Sequence, residues 1–287
     1  MKVLRSELSG YCMGVRRALD LSFEAAKTGR PLWTFGELIH NNSVLQDLAK
    51  IGVHIIRDIE NCPDIKDSVV VLCAHGVPPA TEAFLRARAA EIIDASCPMV
   101  KKSQLKAAEL ARTNRVVFLA GEKNHSEVVG IKGYNEAIII VSSVDEAQAQ
   151  AEALYQKSPE AETALLAQTT ISRIEYTDIA RSIKKYFPHL SLIDTICGAT
   201  ASRQEALRAL CKKVDALIIA GGNASSNTRR LLAIAENEHK AAWLVENADE
   251  LPDDIFLFDT VGVAAGASTP DKIIDDIVFT LQAPHLP

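Results

Sequence analysis

The chain has 287 residues, 48% of them hydrophobic and 24% charged, an ordinary globular balance that excludes extended disorder. Its formal net charge of −6, without a basic tail, argues against nucleic-acid binding, which rests on neutralising phosphates. No apolar run approaches the ~20 residues of a membrane span, and Glu7, Arg16 and Arg17 fall where a signal peptide needs an apolar core. No membrane partner is therefore expected. The expected location is the cytoplasm, where the six cysteines are reduced thiols or metal ligands, not disulfides.

In chain order, Gly10-Tyr11-Cys12 opens a helical pattern that runs on through Arg17 and Leu19. A strand near residue 34 is followed by Gly36-Glu37-Leu38-Ile39-His40-Asn41. The apolar run Val69–Leu72 leads through Cys73 to Ala74-His75-Gly76, and Ile92–Ala95 leads to Ser96-Cys97-Pro98. Val116–Leu119 is followed by Gly121 and then His125-Ser126-Glu127; Ile138–Val141 is a further run. Leu165–Ala167 precedes Gln168-Thr169-Thr170. Ser172 and Glu175 have the spacing of a capping box, which predicts a helix carrying Ile179, Ile183 and Tyr186 and ending before Pro188.

Leu192–Ile196 is then expected as a strand ending at Cys197. Leu207, Leu210, Cys211 and Val214 recur at i, i+3, i+4, i+7, the stripe of an amphipathic helix. Leu217–Ile219 precedes Gly221-Gly222 and Ser225-Ser226-Asn227, and the last strand ends at Gly266-Ala267-Ser268. Ile273, Ile277 and Leu281 mark one face of a final helix.

Continuous apolar runs suit strands covered on both faces, as in parallel sheets. Their alternation with helices predicts an α/β fold. Cys12, Cys97 and Cys197 each precede a helical pattern at intervals of roughly a hundred residues, the scale of a small domain. Three modules are expected: 1–96, 97–193 and 194–287, each contributing one cysteine.

Ligands of parallel α/β sheets bind beyond the carboxyl ends of the strands. Three of the seven histidines and three of the six cysteines fall there. A thiolate is favoured at a helix N-terminus and is the ligand of soft iron and zinc sites. Since an iron–sulfur cluster usually takes four cysteines, three would leave one metal position open. A zinc site of three cysteines and a histidine competes with this, as does a set of buried core thiols. The last reading suits Cys211, Cys73 and Cys62. No GxGxxG or P-loop pattern is present. Ser225-Ser226-Asn227 opens a helix and could hold phosphate on N–H groups, hydroxyls and an amide; alone it reads equally as an N-cap. With Thr169, Ser268 and three histidines at equivalent ends, phosphate is the better reading. Glu127 beside His125 suits a proton donor, against the alternative of a solvated surface carboxylate. His54, His189, His239 and His285 have no comparable setting.

The motifs Gly10-Tyr11-Cys12-Met13-Gly14-Val15, His40-Asn41, Ala74-His75-Gly76-Val77, Asp94-Ala95-Ser96-Cys97-Pro98, His125-Ser126-Glu127-Val128, Gln168-Thr169-Thr170, Asp194-Thr195-Ile196-Cys197, Ser225-Ser226-Asn227 and Gly266-Ala267-Ser268-Thr269-Pro270 resemble, in order and spacing, the 4-hydroxy-3-methylbut-2-enyl diphosphate reductase family, also called IspH/LytB. The resemblance implies three lobes of α/β structure around a central [4Fe–4S] cluster held by Cys12, Cys97 and Cys197. It implies that His40, His75, His125, Ser225, Ser226, Asn227 and Ser268 surround a diphosphate, that Thr169 contacts the substrate near its hydroxyl end, and that Glu127 supplies protons. The implied activity is reductive dehydroxylation of an allylic diphosphate, with electrons from an external ferredoxin or flavodoxin. Ser126 stands where the family usually has proline, and Ser9 where arginine is common. A rival of another class is a zinc-stabilised protein that binds a phosphorylated metabolite without turnover.

Overall fold

The structure is a computed structural model that describes residues 1–283; His285 lies outside them. The first elements are β1 (Lys2–Arg5), α1 (Met13–Ala26), β2 (Leu32–Phe35), α2 (Asn42–Lys50), β3 (Val53–Ile56), β4 (Val69–Leu72), α3 (Pro79–Arg86) and β5 (Glu91–Asp94). There follow α4 (Pro98–Leu110), β6 (Val116–Ala120), α5 (Ser126–Lys132), β7 (Ile139–Val141), α6 (Val144–Lys157), β8 (Thr163–Ala167), α7 (Arg173–Lys184) and β9 (Ser191–Leu192). The last are α8 (Gly198–Cys211), β10 (Ala216–Ala220), α9 (Ser226–Asn237), β11 (Ala241–Val245), β12 (Thr260–Ala265) and α10 (Asp271–Gln282). The strands form three four-stranded sheets, ordered β1-β12-β10-β11, β3-β2-β4-β5 and β7-β6-β8-β9. Every pairing is parallel. The expected α/β class with three parallel-sheet lobes is what the chain forms.

The chain divides into two compact units, one of Met1–Arg16, Ile39–Asp47 and the residues from Gly198 onward, the other of Arg17–Leu38 and Leu48–Cys197. The first unit holds the sheet β1-β12-β10-β11. Alternate residues of a strand face opposite sides, and both sides are covered here. Ile218 and Val263 pack with Ile274, Ile277 and Leu281 of α10, while Leu217, Ile219 and Ala264 pack with Leu207 and Leu210 of α8 and Leu231 and Ile234 of α9. The stripe expected on α8 is buried, although Val214 lies beyond the end of the helix; of the stripe expected on α10, Ile277 and Leu281 are buried, while Ile273 is only partly so and Ile274 takes the inner position. Lys2–Arg5 pairs with β12, Arg5 opposite Val263. These residues join that sheet although they lie in the stretch 1–96, so sheet membership does not follow those bounds at the N-terminus.

The second unit holds the other two sheets. Val69, Val70, Val71 and Leu72 are fully buried, which is why that run is unbroken. Burying each such side chain contributes about 1.5–3 kcal/mol over leaving it exposed. The helix that leaves the end of β5, α4, sets Ala107 and Leu110 against Val117, Leu119, Ala164 and Leu166 of the neighbouring sheet. Cys97 is its N-cap residue and Pro98 its first residue, where the missing N–H costs nothing.

Two elements differ from the sequence reading. The Ser172 hydroxyl does cap α7, accepting from Glu175 N at 3.1 Å, but α7 ends at Lys184 and Tyr186 lies beyond it. The strand expected at Leu192–Ile196 is only Ser191–Leu192. Its continuation is turned by Asp194, whose Oδ1 accepts from Ile196 N at 3.0 Å, and by Thr195 Oγ1, which binds both the N–H and the carbonyl of Ala167.

Candidate functional site

The three cysteines occupy matched settings. Each follows the end strand of a sheet, and each N–H donates to a carbonyl two residues past the adjoining strand. Cys12 N reaches Ala267 O at 3.0 Å, Cys97 N reaches Ala74 O at 2.9 Å, and Cys197 N reaches Thr169 O at 2.9 Å. Two of the approaching loops turn alike: Asp94 Oδ1 accepts from Ser96 N at 2.9 Å, as Asp194 does from Ile196 N. Each cysteine immediately precedes a helix, α1, α4 or α8, which sets it at the positive end of the helix dipole. Cys12 Sγ accepts from Val15 N at 3.4 Å. All six cysteines are free thiols, and these three are only half-buried, unlike Cys73 and Cys211. Burial pushes the Cys73 thiol up to about 11 and raises that of Cys211 as well. Such thiols are inert. Cys12 belongs to the first unit, Cys97 and Cys197 to the second.

Guanidinium groups brace two of the cysteine loops. Arg17 of α1 donates to Ser96 O and Asp94 O at 3.2 and 3.1 Å, holding the loop before Cys97. Arg203 of α8, buried, donates to Leu8 O and Gly10 O at 3.2 and 2.7 Å, holding the loop before Cys12. Next to Cys12, Tyr11 is pushed up to about 12 by burial and then by the charges of Asp47 and Asp271. Burial also opposes ionisation of Asp94, but its bonds from Ser96 and Lys101 outweigh this and hold the carboxyl below the usual range.

In the second unit Glu127 is not in a loop. It lies in the first turn of α5 and is 2% exposed, so the alternative of a solvated carboxylate fails. His125 is the helix N-cap, its Nδ1 accepting from Glu127 N at 3.1 Å. The Glu127 carboxylate accepts from Thr169 N at 2.7 Å through Oε1 and from Thr169 Oγ1 at 2.8 Å through Oε2. The rings of His75 and His125 meet edge to face, centroids 5.5 Å apart. Gly76 follows His75 in a left-handed conformation, φ +69°, which glycine adopts at no steric cost. A Cβ there would collide with the Gln104 side-chain amide.

In the first unit Ser225 caps α9, accepting from Thr228 N at 3.3 Å, so its hydroxyl has the structural duty that the motif allowed. Ser226 accepts from Arg230. Asn227 differs: it is 5% exposed, and neither Oδ1 nor Nδ2 has a hydrogen-bond partner among the described residues. An orphaned buried amide is costly, and here it stands in the first turn of a helix, where anions bind. Ser268 donates to His40 O at 3.1 Å, and the His40 carbonyl is approached so closely by Gly222 that a Cβ there would lie 2.9 Å from it.

Sequence reasoning missed Arg17, Arg203 and Gln104. Nothing in the spacing marks the two arginines. Gln104 does carry a signal, because it interrupts the stripe Val100-Gln104-Ala107 on α4. It is fully buried, and neither side-chain amide atom has a partner among the described residues. The amide packs against Gly76 and Gly130.

The sequence profile of the LytB protein family matches residues 3–282. The chain belongs to the LytB protein family. Among LytB relatives it is similar to the 4-hydroxy-3-methylbut-2-enyl diphosphate reductase of Treponema denticola, 45% identical over 96% of this chain and 98% of the relative. The reductase of the same name from Caldanaerobacter subterraneus is 37% identical over 99% and 97%. Of solved structures, the E-1-hydroxy-2-methyl-but-2-enyl-4-diphosphate reductase of Plasmodium falciparum has a TM-score of 0.90 at 29% identity, covering 99% of this chain and 88% of that one. A second, described as the terminal enzyme of the non-mevalonate pathway, has a TM-score of 0.69 at 34% identity over 98% and 99%. Among the described residues no helix is long and apolar enough to cross a membrane.

Proposed function

We propose that this LytB chain catalyses the reductive dehydroxylation of 4-hydroxy-3-methylbut-2-enyl diphosphate to isopentenyl and dimethylallyl diphosphates, the last step of the methylerythritol phosphate route. The reaction consumes two electrons and two protons and releases water. The observation that carries the reading is the repeated cysteine setting, three half-buried free thiols, each preceding a helix and each tied by its N–H to an equivalent carbonyl. We assign Cys12, Cys97 and Cys197 to one [4Fe–4S] cluster. Three thiolates suit soft iron and leave one metal position for substrate. When bound, the cluster supplies a Lewis-acid site and a path for electrons.

The chain's own residues do the rest. Asn227 offers a buried amide that a diphosphate oxygen would satisfy. We place Ser225, Ser226, Ser268, His40, His75 and His125 around the same group, where hydroxyls, N–H groups and imidazoles neutralise charge. Thr169 orients Glu127 through both its N–H and its hydroxyl, and is placed near the substrate's hydroxyl end. Glu127, in its protonated form, delivers a proton to the departing oxygen. Electrons come from an external one-electron carrier, a ferredoxin or a flavodoxin. The test is anaerobic purification with iron, sulfide and zinc assays. Four iron and four sulfide per chain are expected; a colourless zinc protein would instead support metabolite binding without turnover.

A further inference from the structure

The bracing described above is incomplete. Arg17, from the helix after Cys12, clasps the loop before Cys97. Arg203, from the helix after Cys197, clasps the loop before Cys12. The equivalent clasp would run from α4, after Cys97, to the loop before Cys197. α4 carries Lys102 there, and among the described residues Lys102 has no hydrogen bond or ion pair with that loop or any other group. In place of a clasp there is an open groove of about 690 Å³. Pro98, Lys102, Leu105 and Lys106 of α4 line one side, and Ile193, Asp194 and Thr195 the other.

Three properties of this groove coincide. Leu105 in it is 59% exposed, an apolar centre unlike the buried residues of the same helix. Lys101, Lys102 and Lys106 line it together with Glu109, on the same helix, and Asp194, leaving a net positive spot on a chain of net charge −6. Lys101 is held by Asp94 at 3.2 Å, Lys106 by Glu109 at 2.7 Å, and Arg173 neutralises Asp194 at 2.8 Å, so Lys102 is the uncommitted cation. Finally, the walls are continuous with two of the assigned cluster thiols. Pro98 adjoins Cys97, and Thr195 is two residues from Cys197; at about 3.8 Å per Cα step, its Cα lies within about 8 Å of that of Cys197.

We infer that this groove is the docking surface for the electron donor, a small acidic one-electron carrier protein. The inference rests on the reductase reading. An apolar centre with a charged rim is the anatomy of a protein interface, and electron-transfer encounters use small ones. The positive spot steers an acidic carrier here while the rest of the acidic surface repels it. Two one-electron deliveries per turnover, together with two protons, reduce the C–O bond and release the oxygen as water.

The test uses the cluster-loaded enzyme with two donors, reduced plant-type [2Fe–2S] ferredoxin and reduced methyl viologen. The double variant Lys102→Glu/Lys106→Glu should lose at least tenfold in kcat/KM for ferredoxin at low ionic strength and keep its viologen-driven rate. The loss should shrink in high salt, which screens exposed charges. Leu105→Ser, which leaves all charges in place, should weaken ferredoxin-driven turnover at every salt concentration. Unchanged ferredoxin kinetics in both variants would overturn the docking site alone. An equal loss with both donors would also overturn it, because the lysines would then serve the chemistry. Absence of viologen-driven turnover in the unsubstituted enzyme would overturn the reductase reading and this proposal with it.

Discussion

Glu127→Gln separates the chemistry of the buried carboxyl group from its structural duty. Glu127 accepts two hydrogen bonds from Thr169, one from N–H and one from the hydroxyl. Glutamine keeps one oxygen, which can still accept from the N–H. Its amide nitrogen cannot accept, but it can donate, and the Thr169 hydroxyl rotates freely to receive that bond. Both contacts therefore survive, one with reversed polarity. The expected cost to folding is at most about 1 kcal/mol, the net worth of one ordinary hydrogen bond. The chemical cost is larger. An amide cannot deliver the proton that a carboxylic acid delivers, and general acid catalysis supplies roughly 10²–10⁴-fold, or about 2.7–5.5 kcal/mol of barrier. Single-turnover product formation should slow by that factor, while the melting temperature, the iron spectrum and substrate affinity stay near those of the parent. Normal turnover would show that another group carries the proton. Loss of the cluster would make Glu127 structural, and either result would refute the assignment.

Asn227→Ala should leave stability unchanged or slightly improved, because it removes an amide with no partner among the described residues; KM should rise by about 10–150-fold, the worth of one hydrogen bond to a charged group, and steady-state kinetics beside chemical denaturation checks both. Gly76→Ala forces a left-handed residue, at about 1–2 kcal/mol, and displaces Gln104, so overpacking adds about 1–3 kcal/mol. Urea denaturation should show the sum, and Gly76→Ala/Gln104→Ala should recover part of it. In cluster-free protein at neutral pH, iodoacetamide should label Cys12, Cys97 and Cys197 and spare Cys73 and Cys211. The Cys73 thiolate appears only as pH rises toward about 11, so peptide mass spectrometry should find it labelled only in denaturant.

Much of this was legible in the sequence for identifiable reasons. Val69–Leu72, Val116–Ala120 and Ala216–Ala220 are inner strands covered on both faces, and such strands must be continuous apolar runs. Edge strands carry no such demand, which is why Val53–Ile56 and Ala241–Val245 did not stand out. The pairing of Lys2–Arg5 with Thr260–Ala265 spans nearly the whole chain, and no local pattern encodes it. Leu192–Ile196 reads as a strand because Leu192, Ile193 and Ile196 are apolar, but Leu192 is exposed and only Ile196 is buried; the segment turns instead, and Asp194 and Thr195 take the backbone groups that a ladder would have used. The chemistry-bearing residues were readable because small and polar residues follow each strand. What the sequence hid was their support: Thr169 on Glu127, Arg17 and Arg203 on backbone carbonyls, and Gln104 beneath Gly76. These are long-range contacts made by residue types that are common on any surface.

The most direct measurement of the central claim is anaerobic turnover of 4-hydroxy-3-methylbut-2-enyl diphosphate by the cluster-loaded protein with reduced methyl viologen, products being resolved by mass and chromatography. Isopentenyl and dimethylallyl diphosphates are expected, with two electrons consumed per product molecule. Substrate binding without consumption of electrons, in protein whose iron and sulfide content is complete, would contradict that claim.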